Sequence, residues 1–230
     1  MEVRILHCLE GARQAEGTAV VIDVFRAFSL ECYMYMAGCE KIIPTAGVEE
    51  TFAMRRMIPG CILAGERNGK MIEGFDYGNS PSQFEHLDLR GKTVIHTTSA
   101  GVQGLDAVRN ADEILTGSLV NAAAIAAYIR KKNPKTVSLV AMGWNGIRQT
   151  EEDELCAEYI ASLLQDQPLA DIDERALQLR YQEGKKFFDP ANRDVFPERD
   201  FWLCIRRDVF DGVIRVQRKE DRLEAELVHA

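Results

Sequence analysis

Metal-binding cysteine pairs, membrane-spanning runs and an excess of basic charge are all missing from this 230-residue chain. Its six cysteines, Cys8, Cys32, Cys39, Cys61, Cys156 and Cys204, form no C-x-x-C pair, so structural zinc has no support. They sit in apolar neighbourhoods such as LECYMYMAGC, and a chain long enough to build a core does not need disulfides. Reduced thiols in a cytoplasmic protein are therefore expected. No uncharged apolar stretch approaches the roughly 20 residues that a bilayer requires. The opening MEVRILHCLEGARQ is broken by charge every few residues, unlike a secretory leader. The expectation is a soluble protein with no membrane partner. Lys+Arg number 28 against 36 Asp+Glu, a formal charge of −8, which argues against nucleic acid, whose phosphates need a basic surface. Repeats, low-complexity tracts and Gly/Ser linkers are absent as well, so residues 1–230 read as one domain. The 46% of hydrophobic residues suffices for its core and excludes disorder.

What is present is a repeated order: a short β-branched run, a glycine or polar cluster, then an amphipathic stretch. This order defines an α/β domain with a mostly parallel sheet and flanking helices. Strands are expected at residues 18–23 (TAVVID), 41–44 (KIIP), 61–64, 93–97 (TVIHT), 113–116 and 136–141 (TVSLVA). Helices are expected at 28–37, 48–57, 121–131 and 151–164. From about residue 168 the character changes. Residues 171–188 are charged and amphipathic, Asp189-Pro190 breaks that pattern, and 197–206 carries another helical one. Residues 212–227 alternate apolar and charged around Lys219-Glu220-Asp221, as a terminal hairpin does. The end of the chain thus reads as a helical extension closed by a hairpin. The apolar AAAIAAYI, residues 122–129, offers a face for a second copy of the chain.

In open parallel sheets, ligands bind at the carboxyl ends of strands, and polar residues gather there. Asp23 and Arg26 follow the first strand, Glu66 and Arg67 the third, and Thr97, Thr98, Ser99 and Gly101 the fourth. Ser118 and Asn121 follow the fifth, and Asp153 lies beyond the sixth. Five loops supplying carboxylates, arginines, hydroxyls and glycines to one rim describe a polar anion site with room for a metal. Each residue also has a plainer reading. Asp23 suits a helix N-cap, Glu151 to Glu154 suit the positive end of a helix dipole, and His96 suits a satisfied core position. Trp144 reads as packing. Gly65 and Gly69 bracket Glu66-Arg67 as though the backbone passes close to something. There is no G-x-G-x-x-G after a strand, no P-loop lysine motif, no H-E-x-x-H and no G-x-S-x-G. Hydrolases with a strand-end aspartate nucleophile often carry a second Asp two residues on, and that place is Phe25.

Together, VVIDVFRAFS (residues 20–29), LAGERNGKMIEGFDYGNSP (63–81), TTSAGVQGL (97–105), GSLVNAAAIA (117–126) and EDELCAEYI (152–160) resemble the 2-phosphosulfolactate phosphatase (ComB-type) family. The late FWLCIRRDVFDGVIRV is similar to that family's closing segment. The resemblance implies Mg²⁺-dependent hydrolysis of (2R)-2-phospho-3-sulfolactate to 3-sulfolactate and phosphate, a step on one route to coenzyme M. The D-x-x-R-A start is intact as Asp23 to Ala27. Where many members read T-N-G-T-R-A, this chain has Thr98-Ser99-Ala100-Gly101-Val102-Gln103-Gly104, so Gln103 replaces an arginine and removes one anion contact.

On this reading Asp23, Glu66 and Asp153 hold Mg²⁺, since hard cations prefer carboxylate oxygens. Arg26 and Arg67 hold the substrate's oxyanions with planar forks. Thr98, Ser99, Gly101, Ser118 and Asn121 donate to the transferring group, and Asn79 and Ser80 of GNSP orient their loop. The nucleophile stays open between water and Asp23. Alternatives are a phosphatase of another phosphorylated 2-hydroxy acid and a non-catalytic anion-binding relative.

Overall fold

Alternation of apolar and polar residues, or its absence, sorts the strands of the computed structural model, which describes residues 1–219 and 222–229. In chain order the elements are β1 (Glu2–His7), α1 (Cys8–Gln14), β2 (Glu16–Ile22), α2 (Ala27–Met36), β3 (Lys41–Pro44), α3 (Val48–Met57), β4 (Ile62–Arg67) and β5 (Lys70–Met71). There follow β6 (Thr93–Thr97), α4 (Gly101–Ala107), β7 (Asn110–Gly117), α5 (Ala122–Lys132), β8 (Thr136–Ala141) and α6 (Glu151–Leu164). The last part contains α7 (Ile172–Gln178), α8 (Glu198–Cys204), β9 (Gly212–Lys219) and β10 (Arg222–His229). The residue ranges expected for β3, α3, β6, β8 and α6 are those observed. β1 and α1 went unforeseen: EVRILH alternates along a half-exposed edge strand, so it lacks the continuous apolar run of the buried strands.

One sheet runs in the order β1-β8-β2-β7-β9-β10-β3-β6-β4-β5. It consists of two parallel blocks, β1-β8-β2-β7 and β3-β6-β4, joined by the antiparallel pair β9-β10. β9 lies antiparallel to β7, with Leu115 opposite Arg215, and β10 lies antiparallel to β3 at Ala225 and Ile42. The strands read from residues 212–227 therefore form a hairpin, but it bridges the blocks rather than trailing the domain. Glu220 and Asp221, expected at its turn, lie outside the described residues.

β2 is buried on both faces, as parallel strands covered by helices are. Ala19 and Val21 point into one apolar cluster with α2, while Val20 and Ile22 point into another with α5 and α6. Helix α2 is buried from Ala27 through Tyr35, and a helix apolar all round belongs inside a fold. The sheet curls about it. β2 and β6 stand five positions apart, about 24 Å in a flat sheet at 4.8 Å per strand, yet the Gly101 N–H after β6 donates to Asp23 Oδ2 after β2 at 2.9 Å.

Two expectations need correction. Residues 171–188 are not one helix: α7 ends and the chain continues in short 3₁₀ turns. At Gly184 it passes so close to its neighbours that a Cβ would stand 2.6 Å from the Leu179 carbonyl oxygen and 2.7 Å from Phe201 Cε2. The apolar face of residues 122–129 is covered by the chain itself, because Ala122, Ile125, Ala126 and Ile129 pack with α6 residues such as Leu155 and Tyr159. Among the described residues no helix is long and apolar enough to cross a membrane. All six cysteines are free thiols.

Candidate active site

The carboxyl ends of β2, β4, β6 and β8 meet at one cleft, lined by Asp23, Arg26, Glu66, Asn79, Ser99, Glu152, Asp153 and Lys186, with Phe25, Trp144 and Phe196 around them. Three expected carboxylates are among them, and every one of their oxygens accepts a backbone N–H. Asp23 accepts from Ala27 at 3.1 Å and from Gly101. Asp153 accepts from Val24 at 2.7 Å and from Gly143 at 2.8 Å. Glu66 accepts from Ser99 and Gly69, both at 2.6 Å, and from the Ser99 hydroxyl at 3.1 Å. These bonds stitch four strand-end loops together while leaving every oxygen but Glu66 Oε2, which accepts twice, a second lone pair. Gly101 belongs here for its bareness: a Cβ would lie 2.9 Å from Asp23 Oδ2 and from the Phe28 ring.

Burial makes this concentration of acid costly. It pushes the Asp23 carboxyl up to about 6, against the pull of its backbone donors. Asp153 rises well above the usual carboxylate range through burial and the charges of Glu152 and Asp23. Glu152 was hidden in the acidic first turn of α6. It is 4% exposed, burial pushes it up to about 7 against the opposing charge of Lys186, and its Oε2 has no hydrogen-bond partner among the described residues.

The arginines are engaged elsewhere. Arg26 lines the cleft, but its guanidinium donates to Asp200 Oδ2 and to the Val195 carbonyl, both at 2.8 Å, and to the Gly69 carbonyl at 3.2 Å. It also stacks 4.7 Å from the centre of the Phe196 ring. Asp200 in turn accepts from Ser80 Oγ and the Ser82 N–H, each at 2.9 Å, so Ser80 stands behind the wall. Arg67 is outside the lining and donates to the carbonyls of Glu66 and Ala46 at 2.8 Å and to Thr97 Oγ1 at 2.9 Å. Gln103 donates to the same Ala46 carbonyl at 3.1 Å. Thr98, Ser118 and Asn121 also fall outside. Thr98 Oγ1 accepts from the Val102 N–H, while Ser118 and Asn121 form a buried capping box ahead of α5. In each case a helix start is where the hydroxyl or amide is used.

The cation that does face the cleft is Lys186, from the 3₁₀ turn at Glu183–Phe187. Its Nζ is 4.9 Å from the centre of the Trp144 ring, 5.5 Å from that of Phe196 and 3.3 Å from Glu183 Oε1. In sequence it is one of two lysines before Phe187-Phe188, and that pairing of cations with aromatics was the available signal. A cleft of buried carboxylates and one lysine, at the strand ends of a parallel α/β sheet, defines an enzyme-type site for a small charged ligand.

The model of the 2-phosphosulpholactate phosphatase family matches residues 6–219. A protein of Carboxydothermus hydrogenoformans named "Probable 2-phosphosulfolactate phosphatase" is 37% identical over 76% of this chain and 73% of its own. Proteins with the same name from Caldicellulosiruptor saccharolyticus and Bacillus subtilis are 34% and 28% identical, over 86% of this chain and 88% and 86% of theirs. The chain therefore belongs to the 2-phosphosulpholactate phosphatase family.

Proposed function

We propose that this chain is a phosphoric monoester hydrolase that converts (2R)-2-phospho-3-sulfolactate to 3-sulfolactate and phosphate with Mg²⁺, in the cytoplasm and on a route to coenzyme M. The names of its relatives support the substrate. The observation that carries the metal is Glu152 Oε2, buried and unpartnered beside Asp153, in a cleft whose carboxyls burial already drives towards protonation. Asp23, Glu152 and Asp153 cannot all be charged there without a cation, and oxygen-rich sets suit a hard one. Asp23, Glu66 and Asp153, with Glu152 added, would hold it. Among the described residues no three His, Cys, Asp or Glu side chains converge closely enough to bind an ion alone, so water or substrate oxygens would complete its shell. Bound there, Mg²⁺ supplies charge neutralisation to the phosphoryl group, the main requirement of this chemistry.

The chain's own residues do the rest. Lys186 pairs with an oxyanion of the substrate and, seated among rings, is held where a fully hydrated lysine would wander. Asn79 supplies an amide to the same ligand. Arg26, fixed by Asp200, keeps Phe196 and the loop at Gly69 against the cleft and so limits water. Gln103 lies outside the lining and is spent on the Ala46 carbonyl, so its own amide makes no substrate contact.

Phosphate release should be measured on phosphosulfolactate, phospholactate and phosphoglycerates, with and without a chelator. The expected result is fastest turnover of phosphosulfolactate, lost on chelation and restored by Mg²⁺. No release from any of these esters in excess Mg²⁺ overturns the proposal and favours a non-catalytic anion-binding protein.

A further inference from the structure

His96 sits inside β6 with no exposed surface, and both ring nitrogens have partners. Nδ1 is 2.9 Å from Glu31 Oε1, and Glu31, on the buried helix α2, is also wholly inaccessible. Nε2 is 3.2 Å from Oδ1 of Asn79, which is 5% exposed and lines the cleft. A carboxylate only accepts hydrogen bonds, so Nδ1 carries a proton. With its oxygen turned to the ring the Asn79 amide also only accepts, and in that orientation Nε2 carries the second. With its oxygen committed to the ring, Asn79 is left with Nδ2, which has no hydrogen-bond partner among the described residues.

We infer that Glu31 and His96 are positioning residues: a buried imidazolium, held by the Glu31 carboxylate, fixes the Asn79 amide with its NH₂ towards the cleft as a donor to the bound oxyanion. A neutral His96 with Nδ1–H would offer a bare Nε2. The Asn79 amide would then turn over to donate to it and present an oxygen to the ligand, which an anion repels. The charge of a ring without solvent contact thus sets the sign of a hydrogen bond inside the site. An apolar core would accommodate these positions more readily, since a buried ion pair is a poor source of stability, and Glu31 Oε2 is left without a partner. The inference rests on the reading of the cleft as an oxyanion site, but not on which ester is hydrolysed.

The test uses the full chain and inorganic phosphate as the probe, with Mg²⁺ in excess. Long-range ¹H–¹⁵N spectra of labelled wild-type protein, with the His96 ring assigned by its loss in His96→Gln, should show both ring nitrogens protonated at neutral pH. One bare nitrogen overturns the inference. Phosphate binding should weaken about tenfold in Asn79→Ala, the loss typical of one hydrogen bond to a charged group, and about as much in Glu31→Gln. Because Glu31 acts through Asn79, Glu31→Gln should weaken binding no further in the Asn79→Ala background. Additive losses in that cycle, or wild-type affinity in Asn79→Ala, overturn it. If Glu31→Gln fails to fold, the wild-type ring spectrum and Asn79→Ala still decide. Failure of the ester panel alongside a protonated ring and a weakened Asn79→Ala would count against the phosphatase assignment alone.

Discussion

Residues 1–164 and residues 165–229 build the same cleft by opposite means. In the first region Asp23, Glu66 and Asp153 hang from a strand end or a helix start and are held by backbone N–H groups, as Glu66 is by Ser99 and Gly69. In the second, side chains reach back over a long span of chain: Lys186 closes the cleft, Asp200 anchors Arg26, and β9-β10 joins the two parallel blocks. The first region concentrates acid, whereas the second brings the cation. A site assembled from these strand-end carboxylates alone would repel an anion, and the carboxy-terminal region places a lysine among them while the whole chain stays at −8.

This contrast can be broken most severely at the hairpin. Ending the chain at Asp211 would leave β7 and β3 as unpaired edges and remove the joint between the blocks. No cooperative thermal transition is expected by circular dichroism, and a folded truncation product would show that the blocks cohere without β9-β10. The next largest effect falls on chemistry alone. Asp23→Asn should lower Mg²⁺-dependent phosphate release by about 10³-fold, in the range for loss of a preorganised charge, and should keep a cooperative thermal transition although one buried backbone N–H loses its acceptor. Near wild-type release would remove Asp23 from the site.

The acid cluster also predicts a pH dependence. Asp23 at about 6 and Glu152 at about 7 lie above their ordinary values of 3.8 and 4.5, so the folded chain binds protons more tightly than the unfolded one. The associated stability is fully present below about pH 4 and is lost as pH rises through 6 and 7, on the order of 3 kcal/mol for each of the two groups. Denaturant titrations of chelated protein from pH 5 to pH 8 should show the fall, and Mg²⁺ at pH 8 should reverse it. A flat profile would mean that the cluster is not strained. A smaller change comes from Lys186→Met, where KM should rise about tenfold with kcat less affected, as for loss of a charged contact. Unchanged KM would confine the carboxy-terminal region to scaffolding. Smallest is Arg67→Ala. Its three protein acceptors point to a loss of about 1–2 kcal/mol in stability with KM unaltered, and a raised KM would return Arg67 to the ligand.

Much of this was legible in order along the chain, and the reason is local. The strand–turn–helix alternation marks β2, β4, β6 and β8, whose carboxyl ends carry Asp23, Glu66, Ser99 and the approach to Asp153. The rest was hidden by ambiguity or by distance. Glu152 shares a turn with three other acids, and the helix dipole accounts for any of them. Arg26 looks like an anion ligand until Asp200, 174 residues on, takes its guanidinium. His96 looks like a satisfied core histidine, and it is one, but its satisfaction runs from Glu31 to a residue of the cleft.

By itself the sequence determined the α/β class, the carboxylates at the strand ends and the family, because hydrophobic period, turn residues and motif order are properties of neighbouring residues. The tertiary structure alone decided that the sheet coils around α2 until the ends of β2 and β6 touch, that the last two strands enter its middle, and that Lys186 lines the cleft while the Arg26 guanidinium is tied to Asp200. Those outcomes depend on which buried surfaces and hydrogen-bonding edges find partners across the whole chain, and no window of neighbouring residues carries that information.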